Sequence, residues 1–401
     1  MTALLTMDQV ALANKRVMMR VDMNVPMHNG AVSDDQRIRA CLPDIKTALD
    51  ANAALILITH LGRPKANETD TTYSLQPIAA HLSELLNKEV PLISDYLNGI
   101  AVKAGELVMC ENIRFQAGEL KDDDMLATQL ANLCDVYVMN AFGCAHRAHA
   151  STHKAIAHAE TACVGTLFAQ EINEISSALA NNSRDYPDYI QHAAVVGGSK
   201  VSGKLELLSS LSEQVDVLII GGGIANTFIA GMGYDIGRSL YEKELVSFAV
   251  ELQDKMKRQN KQLLLPSDVI CAKELSEHSD TVCKTIDKIQ ADEMILDIGT
   301  ATQTAYSNAI TDADCILWNG PLGAFEYTPF ATGTRTITQA MKQSAAHIVA
   351  GGGDTIAAIK KFELQRDDMY VSTGGGAFLQ FVSNQELPAL TMLNHKAENP
   401  N

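Results

Sequence analysis

Short runs of Val, Ile and Leu, continuous rather than alternating with polar residues, recur along the chain between longer stretches whose apolar residues repeat at three and four. A strand that is apolar on both sides must be covered on both faces. Helices supply that cover, so the alternation restricts the chain to parallel sheets of the α/β class. In the first half the strand candidates are Arg16 to Asp22, Ala54 to His60, Val90 to Ile93, Glu106 to Cys110 and Val136 to Asn140, with helical patterns at Ile38 to Asn52 and Leu75 to Asn87. The second half repeats the plan at Ala193 to Val196, Val217 to Ile220, Gln262 to Leu265, Met294 to Ile298, Cys315 to Trp318, Ile348 to Ala350 and Tyr370 to Ser372. A length of 401 residues exceeds what one core serves, so two doubly wound parallel-sheet (Rossmann-like) domains are expected. Phe168, Ile172, Ile175 and Leu179 mark one face of a joining helix, and a polar loop follows from Ser183 to His192. The expected division is an N-terminal domain over 1–168, a connecting helix with a hinge over 169–182, a C-terminal domain over 183–380 and a C-terminal segment over 381–401.

The chain has 48 acidic and 32 basic residues, a formal charge of −16. That field repels nucleic acid and anionic membranes, so neither is expected as a partner, and an anionic ligand has to be drawn by a local basic pocket. The segment Met1 to Arg20 has no basic n-region and no long apolar run, since Asp8 and Gln9 interrupt it, which predicts a cytoplasmic protein. Cysteines at 41, 110, 134, 144, 163, 271, 283 and 315 form no C-x-x-C pair and lie mostly in apolar runs, as buried reduced thiols do.

Ligands of doubly wound sheets bind beyond the carboxyl ends of the strands, and the residues found there differ between the halves. In the first half they are Arg20 to Pro26 with Asp22 and Asn24, His60 to Pro64 with Arg63, Glu111 to Phe115 with Arg114, and Asn140 to Arg147, beside Arg37 in another connection. A single arginine is usually a surface ion-pair partner. Several strand ends each delivering one describe a planar, forked grip on an acid or phosphate. The histidines at 146, 149 and 153 have helical spacing, but no Cys, Asp or Glu in that segment completes a metal set.

In the second half the strand ends carry glycine triplets, Gly221 to Gly223, Gly351 to Gly353 and Gly374 to Gly376. Residues without Cβ let the backbone approach a ligand where a helix begins. Asp354 and Thr355 follow the second triplet; Asp354 could face a magnesium ion or simply cap the helix. Lys200 and Lys204, four apart, would project from one helical face towards a phosphate. Gly198 to Lys204 nearly spells a P-loop, but Leu205 stands where Ser or Thr must hold magnesium. Gly221-x-Gly223 is a weak dinucleotide signal because Asn226 replaces the third small residue.

Taken in order, Arg20 to Pro26, His60 to Pro64, Glu111 to Phe115, Ala141 to Ser151, Gly197 to Lys204, Trp318 to Glu326, Gly351 to Thr355 and Ser372 to Gly376 resemble the phosphoglycerate kinase family over nearly the whole chain. The resemblance implies that Asp22, Asn24, Arg37, His60, Arg63, Arg114 and Arg147 bind 3-phosphoglycerate or 1,3-bisphosphoglycerate. It implies that Lys200, Gly222, Gly223, Gly299, Asn319, Glu326, Gly352, Gly353, Asp354 and Thr355 bind ATP or ADP, with Asp354 towards Mg2+. Arg37, Lys200, Lys204 and the N–H groups of Gly352, Gly353, Gly375 and Gly376 would surround the transferring phosphoryl group. It further implies a monomer, domain closure by a hinge, and a last helix that crosses back onto the first domain. Asn140, Gly203, Thr300 and Gln380 depart from the family's usual Asp, Asp, Pro and Glu. An NAD-dependent dehydrogenase or a two-lobed solute-binding protein would share the architecture. The first lacks its full glycine signature, and the second lacks an export signal.

Overall fold

The computed structural model describes residues 4–66, 71–179 and 190–398, which form two compact units, Met1–Asn173 with Glu386–Asn401, and Glu174–Gln385. The expected end of the joining helix beyond Leu179, and most of the polar loop after it, lie outside the described residues.

The first unit runs β1 (Arg16–Val21), β2 (Met27–His28), β3 (Ala31–Val32), α1 (Gln36–Asp50), β4 (Ala54–Ile58), α2 (Gln76–Leu86), β5 (Leu92–Ile93) and β6 (Leu107–Cys110). It continues with α3 (Asp124–Asn132), β7 (Val136–Asn140), α4 (Lys154–His158), β8 (Thr161–Val164) and α5 (Thr166–Leu179). Its sheet has the order β5-β6-β4-β1-β7-β8 and every pairing is parallel. All residues of β4 and β7 are buried, which is why they read as unbroken apolar runs. On one face Val17, Met19, Leu55, Leu57 and Val138 pack with Ile38, Cys41 and Ile45 of α1 and Ile78 and Leu82 of α2. Strand β8 was not foreseen, because four residues directly before a helical pattern carry too little periodicity to separate them from it.

The second unit runs β9 (His192–Val196), α6 (Leu205–Gln214), β10 (Val217–Ile220), α7 (Gly222–Gly231), α8 (Val246–Arg258), β11 (Gln262–Leu264), β12 (Asp268–Ala272), β13 (Val282–Thr285) and β14 (Met294–Ile298). It continues with α9 (Thr300–Asp312), β15 (Cys315–Asn319), α10 (Thr332–Gln343), β16 (His347–Gly351), α11 (Gly353–Lys361), β17 (Met369–Ser372) and α12 (Gly376–Val382). The parallel sheet has the order β11-β10-β9-β15-β16-β17, around a fully buried Trp318. Met294 to Ile298, expected in that sheet, instead pairs antiparallel with β12 in a separate three-stranded sheet, β13-β12-β14. Met294, Ile295 and Leu296 are only partly buried and line a cavity, whereas Ile298 is buried. The last helix, α13 (Pro388–Glu398), belongs to the first unit, where Ala389 N donates to Ala145 O at 3.2 Å and α13 lies against α4 and β8. Among the described residues no helix is long and apolar enough to cross a membrane, and the eight cysteines are unpaired, six of them buried.

Candidate functional site

In the first unit the loops that leave β1, β4 and β6 are tied together by side chains. Asn24 Oδ1 accepts from Gly62 N at 2.9 Å, and Asn112 Nδ2 donates to Leu61 O and Tyr73 O, both at 2.9 Å. Arg114 follows β6, and its Nη1 donates to Gly62 O. Arg63 and Arg114, on the loops so tied, share with Arg147 one cavity of about 490 Å³, whose other walls are Pro64, Leu120 and His149. Among the described residues no carboxylate lines it, and those that do line it offer donors and apolar surface to an anion. Arg147 Nε donates to His146 Nε2 at 3.0 Å.

Arg37, in the first turn of α1, is differently engaged. Its Nη1 donates to Asp22 Oδ2 at 3.2 Å and to Asn24 O at 3.1 Å, so Asp22, Asn24 and Arg37 form one linked set. His60 is buried, with Nδ1 3.2 Å from Arg20 Nη2. Burial first, then Arg20, Arg114 and Arg147, hold its pKa well below the usual value, so the imidazole is neutral at pH 7. Arg20 received no role from the sequence, yet it organises this end of the sheet: it is buried, and its Nε donates to Ser151 Oγ at 2.9 Å and its Nη1 to Val21 O at 2.5 Å. The available signal was an arginine inside an otherwise apolar strand.

The histidines at 146, 149 and 153 do not share a helical face. Their segment turns, so that His146 meets Arg147, His149 lies 3.9 Å from Glu119 and His153 Nδ1 lies 2.7 Å from Asp122. Asp22, His60 and Cys144 do offer ligand atoms within 4.8 Å of one another. The Arg20 guanidinium contacts both His60 and Cys144, so a positive charge already occupies the place a cation would take. Asn140 Nδ2 donates to Asp44 Oδ2 at 2.6 Å while its Oδ1 accepts from Phe168 N; Asp44 also accepts from Thr166 N and Leu167 N. The Asn140–Asp44 pair therefore holds the start of α5.

In the second unit the three triplets end β10, β16 and β17 on one edge of one sheet and open α7, α11 and α12. The middle glycine of each has a positive φ, +63° at Gly222, +102° at Gly352 and +51° at Gly375, where side chains are strained. A Cβ on Gly222 would also lie 2.7 Å from Gly198 O. A cavity of about 370 Å³ opens beside the first triplet, polar at Gly222, Gly223, Glu326 and Asp354 and apolar at Leu240, Leu275 and Met294; Lys200, Asn319, Gly352, Gly353 and Thr355 are not in its lining. Asn319 Nδ2 donates to Gly351 O at 2.7 Å and Thr355 Oγ1 accepts from Gly320 N at 2.8 Å, so both shape the turns. Asn319 Oδ1 is buried without a partner. Gly299 does not line the cavity. It precedes α9, its N donating to Asp268 O at 2.8 Å, and Thr300 takes the first helical position, which suits Pro equally.

Lys200 and Lys204 are not on a helix, contrary to the spacing argument. Ser202 N donates to Glu242 Oε2 at 2.8 Å and Lys204 N closes a turn on Val201 O, so α6 starts only at Leu205. Lys204 turns inward and donates through Nζ to Gly197 O at 2.5 Å and Asn319 O at 2.9 Å. Burial pushes its pKa down to about 8, partly countered by Asp354. Lys200 stays exposed. Gly376 and Lys204 share a second cavity of about 290 Å³ with Gly203 and Gln380, so two of the four departures lie beside this lysine. A Cβ on Gly203 would meet nothing within 4 Å, and so the glycine there is not a steric requirement.

Two doubly wound units, one ending its strands in arginines and the other in glycine turns that open helices, form the framework of an α/β phosphotransferase. The family model described as phosphoglycerate kinase matches residues 7–385. Phosphoglycerate kinase of Francisella tularensis subsp. tularensis is 48% identical over 393 residues, covering 98% of this chain and 99% of its own. That of Nitratidesulfovibrio vulgaris is 46% identical over 395 residues with the same coverage. The solved structure of phosphoglycerate kinase from Coxiella burnetii superposes with a TM-score of 0.94 at 46% identity, over 98% of this chain and all of that one. The chain belongs to the phosphoglycerate kinase family. The family match displaces the dehydrogenase and solute-binding readings.

Proposed function

We propose that this protein transfers a phosphoryl group reversibly between 1,3-bisphosphoglycerate and ADP, giving 3-phosphoglycerate and ATP. The observation that carries the assignment of sites is a cavity lined by three arginines on one unit and a glycine-turn cavity on the other. The phosphate of phosphoglycerate is held by Arg63, Arg114 and Arg147. Its carboxyl and hydroxyl end is met by Asp22, Asn24, Arg37 and neutral His60. The nucleotide phosphates lie along Gly222, Gly223, Gly352 and Gly353 near Lys200, Asn319 and Thr355. The base lies against Leu240 and Leu275, in a cavity of a size suited to a small ligand.

In the ATP-consuming direction the nucleophile is a carboxylate with a pKa of about 3 to 4, ionised at pH 7 without a general base. The protein's task is then to place the reactants and neutralise charge. Lys204 with Arg37 and the N–H groups of Gly352, Gly353, Gly375 and Gly376 serve this. Arg37 must exchange part of its Asp22 contact for the migrating group. The Asp354 carboxylate, which lines the nucleotide cavity, fits Mg2+, a hard cation that takes one or two carboxylates beside phosphate oxygens. Bound there with the nucleotide, the ion would neutralise phosphate charge. Unpaired thiols support a reducing, cytoplasmic setting, and we place the protein there as a monomer. A coupled assay with ATP and 3-phosphoglycerate, run with and without magnesium, tests the reading. Magnesium-dependent ADP formation that requires 3-phosphoglycerate is expected, and ADP formation without it would refute the assignment.

A further inference from the structure

We propose that Asn226 selects the base of the nucleotide: its Oδ1 accepts a hydrogen bond from an exocyclic amino group, so the cavity favours an amino-bearing base such as adenine over one without that donor. The inference rests on the reading in which the base lies against Leu240 and Leu275, and it names the polar contact made there. Asn226 stands where a dinucleotide-binding turn needs a small residue. It lies in α7, whose residues from Ile224 to Ile229 are all buried. Although only 1% exposed, it belongs to the lining of the glycine-turn cavity together with Leu240, Leu275 and Met294.

The orientation of the amide is fixed by its own bonding. Nδ2 donates to Leu240 O at 3.0 Å. A carbonyl oxygen only accepts, so the amide nitrogen has to face it and the amide oxygen is turned away. Oδ1 is buried and has no hydrogen-bond partner among the described residues. Folding alone does not account for such an atom, because an unsatisfied buried acceptor is destabilising and a leucine would suit a helix face shared with Ile224, Phe228 and Ile229. Anchoring Leu240 accounts for the amide nitrogen, and the next residue, Thr227, holds the same segment by accepting from Glu242 N at 3.2 Å. Neither bond uses the amide oxygen. Asp297 is the other buried polar side chain in the described lining of the cavity, and it is engaged, with Oδ2 accepting from Gly333 N at 2.7 Å and Oδ1 from Ile298 N at 2.9 Å. Asn226 Oδ1 is the acceptor left open to a ligand.

An acceptor needs a donor, and ionised phosphates have none to give. The apolar walls at Leu240 and Leu275 suit the flat face of a base, whose amino group then supplies the hydrogen. Oδ1 is already withdrawn from water in the free protein, so the bond is not offset by water lost from the acceptor. A ring carbonyl in place of the amino group would set two acceptors face to face.

Steady-state assays of the full chain with 3-phosphoglycerate compare ATP with the triphosphate of purine riboside, which differs only in lacking the 6-amino group. Wild type should favour ATP by about tenfold in kcat/KM, through KM rather than kcat. In Asn226→Leu that preference should disappear. Equal kcat/KM for the two triphosphates in wild type would overturn the proposal, and this comparison does not depend on the variant folding. A variant that loses activity with both in proportion, keeping the wild-type ratio, would make Asn226 a support of Leu240 alone and overturn it as well. Leu275→Asp tests the reading beneath: KM for both triphosphates should rise together, and an unchanged KM would overturn the placement of the base.

Discussion

Lys204 illustrates how burial sets the working range of one residue. In the role proposed for it the ammonium must be charged to neutralise a phosphoryl group, yet burial pushes its pKa down to about 8. The kcat/KM for nucleotide should therefore fall as pH rises through about 8 in the free enzyme, and Lys204→Arg should move that limb upward. Stability responds oppositely. The folded pKa is depressed below the unfolded one, so the unfolded chain binds more protons above about pH 8 and stability rises with pH there. Lys204→Ala should cost about 10² to 10³ in kcat, with denaturation and pre-steady-state assays separating the two effects. Asn140 is a second case, because its amide donates to the Asp44 carboxylate. Asn140→Asp sets two buried carboxylates together and should destabilise by about 1 to 3 kcal/mol at pH 7. Urea denaturation at pH 5 should show a smaller loss, since one proton can then be shared.

At the scale of elements, Asp44 supplies most of the side-chain bonds at the start of α5, beside Asn140. Asp44 accepts from Thr166 N and Leu167 N, and its removal also strands the Asn140 amide. Asp44→Ala should therefore cost about 2 kcal/mol or more, read from the urea midpoint. The helix α13 lies against α4 and β8 and buries Ala389, Leu390 and Leu393, with Leu387 buried just before it. A chain ending at Gln385 leaves that surface wet. With about 2 kcal/mol for each buried leucine, thermal unfolding of the first unit should shift down by several degrees, measurable by calorimetry. Element identity was legible where an apolar run was long and bounded by turns, as at β4, β7 and β10. It was not legible at β8, which runs directly into a helical pattern, or at β12 and β13, whose short runs are interrupted by Asp268 and Lys284, and it misassigned Lys200 to Lys204, where a bond from Ser202 to Glu242 competes with the helix.

For the whole molecule, transfer requires ligands held on different units to meet. The radius of gyration from small-angle scattering should decrease when 3-phosphoglycerate and a non-hydrolysable ATP analogue are both present, and neither alone should suffice. A net charge of −16 gives no general attraction for anionic substrates. Salt should then affect the KM for 3-phosphoglycerate through the local arginine cavity rather than through long-range steering.

The amino-acid pattern by itself determined that there would be two parallel sheets and that arginines in one and glycines in the other would crowd at their strand ends. Continuous apolar runs have to be covered on both faces, and the loops beyond the carboxyl ends are where side chains and open backbone become available. Only the tertiary structure decided which of those residues share a cavity. Arg63, Arg114 and Arg147 converge with His149, while Arg37 turns to Asp22; Met294 to Ile298 leaves the main sheet; Lys204 folds inward. Such choices join residues far apart in the chain, as Arg20 with Ser151 and Asn140 with Asp44, and local periodicity carries no record of distance between them.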